Sequence, residues 1–197
     1  MIRIGGVIAA LTALAVAGAI TAGPGRASAC TTKQAFAGFG DSAYYALFIG
    51  GNIEGDGAPW KATGSVSVSA ENESHRIGNA SDKSSLSLGK GSSASFHAGC
   101  LPQLNPSVRL MARAASGSGS LRIDVTYKDP NSVLHTVNLA TLSAADYRDW
   151  APTEALGFLN TDQSLSSQVS GNIELTLTAS GGTWKIDDVY IDPYQRR

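Results

Sequence analysis

Cysteine, histidine and methionine are scarce in this chain of 197 residues, which holds two, three and two of them. Two cysteines are too few for a zinc ribbon. The histidines, His75, His97 and His135, are scattered, with no i, i+4 pair and no cysteine motif nearby, so no transition-metal site is written in the sequence. A surplus of positive charge is also missing. With 15 basic against 16 acidic residues, the chain lacks the electrostatic footprint of a nucleic-acid or anionic-membrane binder. Nor does any stretch keep a convincing 3.6-residue apolar period. The best helical candidate, Ala144 to Trp150, is about two turns at most and reads equally as a turn.

One long apolar run exists, and it stands at the start. Arg3 is followed by an uncharged stretch from Gly5 to Ala22, then by Gly23-Pro24-Gly25 and the small residues Ala27-Ser28-Ala29. That order is a secretory signal peptide over residues 1–29, with cleavage after Ala29. An uncleaved anchor is the alternative, because the run is about as long as a bilayer span. Residues 30–197 then form a single domain of 168 residues, with 15 − 2 = 13 basic against 16 acidic residues once Arg3 and Arg26 are gone. The exported chain carries a net charge of −3 and nothing that holds it to a membrane.

In an exported chain the even pair Cys30 and Cys100 reads as a disulfide. Closing about 70 residues would stabilise by ~4 kcal/mol on the chain-entropy account. The rival reading is an acylated Cys30, but bacterial lipoproteins usually carry Leu three residues before that cysteine, where Ala27 stands here.

What the sequence has in quantity is period-two alternation. Leu121, Ile123, Val125 and Tyr127 fall on one face, with Arg122, Asp124, Thr126 and Lys128 on the other, which predicts a half-buried antiparallel strand. Similar alternation runs through Val66 and Val68, through Val108, Leu110 and Ala112, and through Ile173, Leu175 and Leu177. Gly- and Ser-rich turns separate these runs, among them Gly89 to Ser92, Ser116 to Ser120 (read as a hairpin loop) and Ser180 to Gly182. The fold class that follows is all-β, an antiparallel β-sandwich.

The last strand changes phase. Trp184 and Ile186 share one face and Val189 and Ile191 the other, with Asp187 and Asp188 at the change, so the strand is covered on both faces or carries a bulge. Either way a carboxylate points inward and needs a cation or donors. Lys185 is the basic neighbour, but it starts on the opposite face from Asp188.

Two segments carry a resemblance. GGNIEGDGAPWKATGSVSV, Gly50 to Val68, resembles the first core strand of jelly-roll carbohydrate-binding modules and their galactose-binding-like relatives, and GGTWKIDDVYIDP, Gly181 to Pro193, resembles their closing strand. The resemblance implies a jelly roll whose first and last strands lie close together. It also implies a structural calcium as cofactor, held by Glu54 with Asp187, or with Asp188 as alternate. Ile53 departs from the pattern, which has an aromatic there, and the cysteine pair is not a general feature of those modules. With Gly40-Asp41-Ser42, Tyr45 and Trp150-Ala151-Pro152 added, the whole chain is similar to a group of secreted actinobacterial proteins.

No nucleophile is supported by a base. Gly40-Asp41-Ser42 looks like the nucleophile motif of the GDSL hydrolases, yet the last histidine is His135, and Gln195 stands where that family's C-terminal histidine would be. Glu54 and Asp187 could pair as glycosidase carboxylates, but adjacent Asp187 and Asp188 alternate in direction and cannot both face one sugar. Asn72-Glu73-Ser74 and Asn79-Ala80-Ser81 match the glycosylation sequon, which matters only in a eukaryotic secretory pathway. Trp60 and Trp184 sit in strand patterns and are expected to be buried. Tyr147 and Trp150, in a charged loop-like stretch, are the expected exposed platform for a ligand. The reading is a secreted, non-catalytic module whose partner is a glycan or cell-envelope polymer. A structural or protein-interaction component of the envelope is the second reading, and a glycan-active hydrolase the third.

Overall fold

A computed structural model describes residues 30–55, 59–99, 106–129, 131–157 and 173–193. The signal-peptide segment and Cys100 lie outside the described residues; Cys30 is not a free thiol. Among the described residues twelve strands follow in chain order: β1 Ala46–Leu47, β2 Lys61–Thr63, β3 Val66–Ser69, β4 Ser85–Leu88, β5 Ser93–His97 and β6 Ser107–Ser116; then β7 Ser120–Lys128, β8 Leu134–Ser143, β9 Ala151–Pro152, β10 Leu156–Gly157, β11 Glu174–Ser180 and β12 Thr183–Asp192. They form two antiparallel sheets. The seven-stranded sheet runs β10-β6-β12-β4-β3, with β1 on β12 and β9 on β6; the five-stranded sheet runs β2-β5-β11-β7-β8. The fold is the antiparallel sandwich that alternation predicts, in the jelly-roll form that the resemblance implies.

The alternating strands bury their apolar halves between the sheets. Leu121, Ile123 and Val125 on β7 meet Leu175 and Leu177 on β11, all fully buried, and Leu110, Trp184 and Ile186 fill the space from the other sheet. Each fully buried large aliphatic side chain contributes roughly 1.5–3 kcal/mol. Ser116 to Ser120 is not a hairpin loop, because β6 and β7 belong to different sheets. It is an arch between them, lying against the matching arch of Ser180–Gly182 between β11 and β12. The arches approach so closely that a Cβ on Gly117 would sit 2.8 Å from Gly182 Cα. Ala144 to Trp150 forms turns rather than a helix.

The change of phase in β12 is a bulge, and the strand is covered on both faces as well. Asp187 pairs with Met111 and Tyr190 with Arg109, so three steps on β12 match two on β6. The extra residue, Asp188, takes a left-handed conformation at φ 50°. This returns Val189 and Ile191 to the inter-sheet core with Trp184 and Ile186. The outer face of the same strand lies under a second apolar cluster of Phe36, Tyr45, Met111, Trp150 and Tyr190. Phe36 binds it together by edge-to-face contacts with Tyr45 (5.1 Å) and Tyr190 (5.8 Å). The chain from Cys30 to Tyr45 thus roofs the seven-stranded sheet, while none of the described residues roofs the outer face of the five-stranded sheet.

Candidate functional site

The bulge puts two adjacent carboxylates in the interior, and the loop of residues 70–84 closes over them. Asp187 and Asp188 are each 1% exposed. Asp187 accepts from the Glu73 amide (3.1 Å) and the Asp188 amide (2.8 Å), one through each oxygen. Asp188 Oδ2 accepts from the Gly78 amide at 3.1 Å, whereas its Oδ1 is buried without a hydrogen-bond partner. Glu73, also 1% exposed, folds the loop by accepting from the amides of His75 and Ile77. Asp82, 8% exposed, stands across Gly78: a Cβ there would come under 3.0 Å from Asp188 Oδ1 and 2.6 Å from Asp82 Oδ2. Glycine at 78 is what lets the two carboxylates face one point.

Burial, then the neighbouring Asp188 charge, pushes Asp187 up to about 9. Burial, then Glu73, raises Asp188 to about 7, against the pull of Lys33. Burial and then Glu54 raise Asp82. At neutral pH the cluster is short of positive charge.

The positive charge it has comes from Lys33, not from Lys185. Lys185 is spent on Glu71 (3.2 Å) and Ser69. Lys33 Nζ donates to the carbonyls of Ile77 (2.9 Å) and Gly78 (2.5 Å) and lies 5.3 Å from the Tyr190 ring centroid. Lys185, expected to start on the opposite face from Asp188, is indeed engaged elsewhere, and the cation comes from a segment some 150 residues away in sequence.

Glu54 lies in the same neighbourhood, coupled to Asp82, and its Oε1 accepts from the amides of Lys83 and Ser84, both at 2.6 Å. Calcium takes six to eight oxygen ligands. Among the described residues no three Asp, Glu, His or Cys side chains converge as a metal cage. Both Asp187 oxygens are engaged by amides and the Ile77 and Gly78 carbonyls by Lys33, which leaves Asp188 Oδ1 and Asp82 with far fewer than the six oxygens a calcium ion takes, so the donor set as it stands does not fit one.

A cavity of about 570 Å³ opens beside this cluster, between the Cys30–Lys33 segment and the Gly78–Asp82 turn, with Asn52, Tyr45 and Tyr190 on its walls.

Tyr147 and Trp150 do not form an exposed platform. Trp150 is 8% exposed in the second apolar cluster, with the Arg113 guanidinium 5.5 Å from its ring centroid. Tyr147 is half-buried against Trp184 of the inter-sheet core, ring centroids 6.1 Å apart. The Pro152 strand, β9, pairs with β6 and draws the loop inward. Of the other two tryptophans, Trp184 is fully buried and Trp60 half-buried. In Gly40-Asp41-Ser42 the aspartate is a structural anchor. Asp41 accepts from Tyr45 Oη (2.6 Å), the Ala43 amide (3.0 Å) and Arg109. Although burial acts against it, these partners hold its carboxyl below the ordinary range.

The open face of the five-stranded sheet is a surface that sequence reasoning left unassigned. Strand register lines up Lys61, Ser95, Thr176, Asp124 and Asn138 across all five strands. The next row brings His97 Nε2 to 3.4 Å and Lys61 Nζ to 3.7 Å from Glu174 Oε2. Hydroxyl pairs Ser95–Thr176 (2.8 Å) and Thr126–Thr136 (2.9 Å) complete a surface of hydrogen-bonding groups. The signal was present in the polar halves of the alternating strands, but only the strand order shows that they share one sheet.

No family model and no curated protein sequence matches the chain. Solved structures do. The xylan-binding domain from CBM 22, formally the x6b domain, aligns with a TM-score of 0.52 at 15% identity, covering 77% of this chain and 96% of that one. The N-terminal CBM22-1-CBM22-2 tandem domain of Paenibacillus barcinonensis Xyn10C gives 0.50 at 18% identity, over 71% of this chain and 42% of that one. The CBM22-1 xylan-binding domain of the same enzyme gives 0.49 at 16% identity, over 75% and 91%. The likeness is one of fold: the chain has the jelly-roll sandwich of carbohydrate-binding modules.

Proposed function

We propose that this chain is an exported, non-catalytic module that binds a glycan along the outer face of its five-stranded sheet. The observation that carries the reading is that open face: five strands wide, built of hydroxyl, amide and a few charged side chains, while the opposite sheet is roofed by the chain's own N-terminal segment. Such a face can hydrogen-bond an extended polyhydroxyl chain. The fold supports the reading, since xylan-binding domains share it. Asp187 and Asp188 are buried and bonded to backbone amides, so neither is presented to a substrate as an acid or nucleophile. Export rests on the leader-like residues 1–29, and the Cys30–Cys100 link on the two-cysteine count with Cys30 not a free thiol. Calcium, the cofactor the resemblance implies for Glu54 with Asp187 or Asp188, enters this reading only if it displaces Lys33, and the experiment of the next subsection decides that.

The test is affinity electrophoresis of the mature chain in gels containing xylan, β-1,4-galactan or a soluble cell-wall glycan. Retardation by at least one polymer, reduced in T176V/N138A, is expected. Unchanged mobility in all of them overturns the proposal. A second reading, a protein-interaction scaffold of the envelope, is favoured by the aromatics: Tyr44, 55% exposed, is the one aromatic among the large apolar residues left exposed in the described chain, and it stands alone. Loss of all glycan retardation with retention of the chain on native envelope proteins would support that reading instead.

A further inference from the structure

We propose that Lys33 is the resident cation of the acid cluster, its tethered ammonium serving in place of the calcium that the resemblance implies, so that the fold closes without a metal. Three independent features converge on this. The backbone of Lys33 is fixed by a two-bond antiparallel bridge, its amide donating to the Tyr45 carbonyl at 2.9 Å and its carbonyl accepting from the Tyr45 amide at 2.8 Å. Its ammonium bonds two successive carbonyls, those of Ile77 and Gly78, the kind of oxygen a hard cation would take. The Gly78 amide, in turn, holds Asp188, whose second oxygen is buried with no hydrogen-bond partner. A buried carboxylate left in this state is costly unless a positive charge stands near. Lys33 pulls down the proton affinity of both Asp188 and Asp82, and it is the positive group that acts on both.

The lysine side chain itself is exposed and its carboxylate partners are not. This asymmetry suits an ammonium better than a metal: the four-carbon stem reaches in from solvent, keeps part of its hydration, and needs only three acceptors, where calcium needs six or more oxygens and most of those nearby are already bonded. It also gives the position a role in folding, since the segment carrying Lys33 begins at Cys30 and continues into the roof of Phe36 and Tyr45. The ammonium ties that roof to the bulge of the last strand. None of this depends on what the module binds; a chain that ignores every glycan tests it equally.

The experiment is thermal melting of the oxidised mature chain in 5 mM calcium chloride and, separately, in chelator, for wild type, Lys33→Met and Lys33→Arg. Methionine keeps the apolar stem and removes the charge; arginine keeps the charge. Wild type is expected to melt at the same temperature in both solutions. Lys33→Met should melt about 3–5 °C lower in chelator, the scale of one or two charge-assisted hydrogen bonds in a domain of this size. Lys33→Arg should recover most of that loss. Recovery of Lys33→Met in calcium alone would strengthen the proposal, by showing that a metal can enter once the ammonium leaves. A calcium-dependent rise of several degrees in wild type would overturn it, as would a Lys33→Met variant that melts with wild type in chelator. Should Lys33→Met fail to fold, the wild-type pair together with calcium titration calorimetry still decides: saturable one-to-one heat refutes the proposal, and its absence with an intact Lys33→Arg upholds it.

Discussion

Gly78→Ala adds a single methyl group where two carboxylates face each other. The new Cβ would come within 3.0 Å of Asp188 Oδ1 and 2.6 Å of Asp82 Oδ2, closer than real Cβ contacts allow, and 3.1 Å from Asp188 Cγ, tighter than most. Asp188 cannot swing aside freely: its other oxygen is held by the Gly78 amide, and its backbone is pinned between the pairs Asp187–Met111 and Tyr190–Arg109. Asp82 can yield only by leaving its buried position. Overpacking of this kind costs about 2 kcal/mol, and disturbing a hydrogen bond to a charged group about 1 kcal/mol more. Lower entropy of the unfolded alanine chain returns roughly 0.7 kcal/mol. The net is a loss of about 2 kcal/mol, or a fall in melting temperature of about 4–8 °C for a domain of this size. Gly157→Ala is the control, with nothing within 4 Å of its Cβ position and no positive φ; the entropy gain alone remains, and its melting point should stay level or rise slightly. Circular-dichroism melts and urea midpoints on the two variants measure the difference. A Gly78→Ala protein within 1 °C of wild type, or a Gly157→Ala protein that falls as far, would refute the convergence of Asp82 and Asp188 on that glycine.

The pH response has a definite sign. Asp187 and Asp188 have folded pKa values raised to about 9 and about 7, chiefly by burial, so the stability of their protonated forms is fully present near pH 4 and is lost as pH rises through those values; urea midpoints should fall from pH 5 to pH 9, and a flat or rising series would contradict the burial of this pair. Asp41 is shifted the other way by Tyr45, the Ala43 amide and Arg109 in spite of its burial, so its contribution is present above the ordinary carboxylate pKa and disappears in acid. Arg109→Met, which strands Asp41, should cost about 3 kcal/mol at pH 7 and less in acid, where the protonated Asp41 no longer needs its partner; an equal loss at both pH values would count against that pair. Intact mass and peptide mapping of exported protein should find the chain starting at Cys30 with residues 30 and 100 linked, and Cys100→Ser should lower stability by ~4 kcal/mol on the chain-entropy account. A lipid-modified N-terminus or two free thiols would refute both expectations.

The longer strands were legible because their alternation is undiluted. β7 and β11 alternate apolar residues with polar or charged ones over seven or more positions and bury the expected face residue for residue, whereas in β6 Met111, on the face expected to meet water, is buried as well. β4 and β5 were harder to read. Their Ser-Leu-Ser-Leu and Ser-Ala-Ser-Phe-His alternate as faithfully, but serine is also turn chemistry, and four or five residues beside Gly89-Lys90-Gly91 look like loop. In β8 a register shift opposite Ile123/Asp124 breaks the period that would have announced it. The bulge in β12 was legible because a change of hydrophobic phase within one strand has few other causes.

Side-chain partnership across the sandwich was not legible, and Trp150 and Lys33 show why. A tryptophan flanked by Arg148 and Asp149 looks exposed by local composition. It is buried because its loop leads into β9, which pairs with β6 and brings the indole over Met111, a residue that alternation had placed on the outward face. Sequence periodicity shows which residues of a strand share a face; it does not show that a second layer will cover the face expected to meet water. Lys33 is the same case with a charge. The phase change required a donor or cation for the carboxylates of β12, and a search along that strand finds Lys185, which is committed to Glu71 and Ser69 on the outer face. The cation comes from the segment that roofs the sheet, while the loop of residues 70–84 is what closes over the carboxylates. Burial of Asp188 and delivery of Lys33 therefore meet at one residue: the loop of residues 70–84 closes over the bulge and gives the Gly78 amide to Asp188, and the segment from Cys30 to Tyr45 brings its ammonium to the carbonyl of the same glycine.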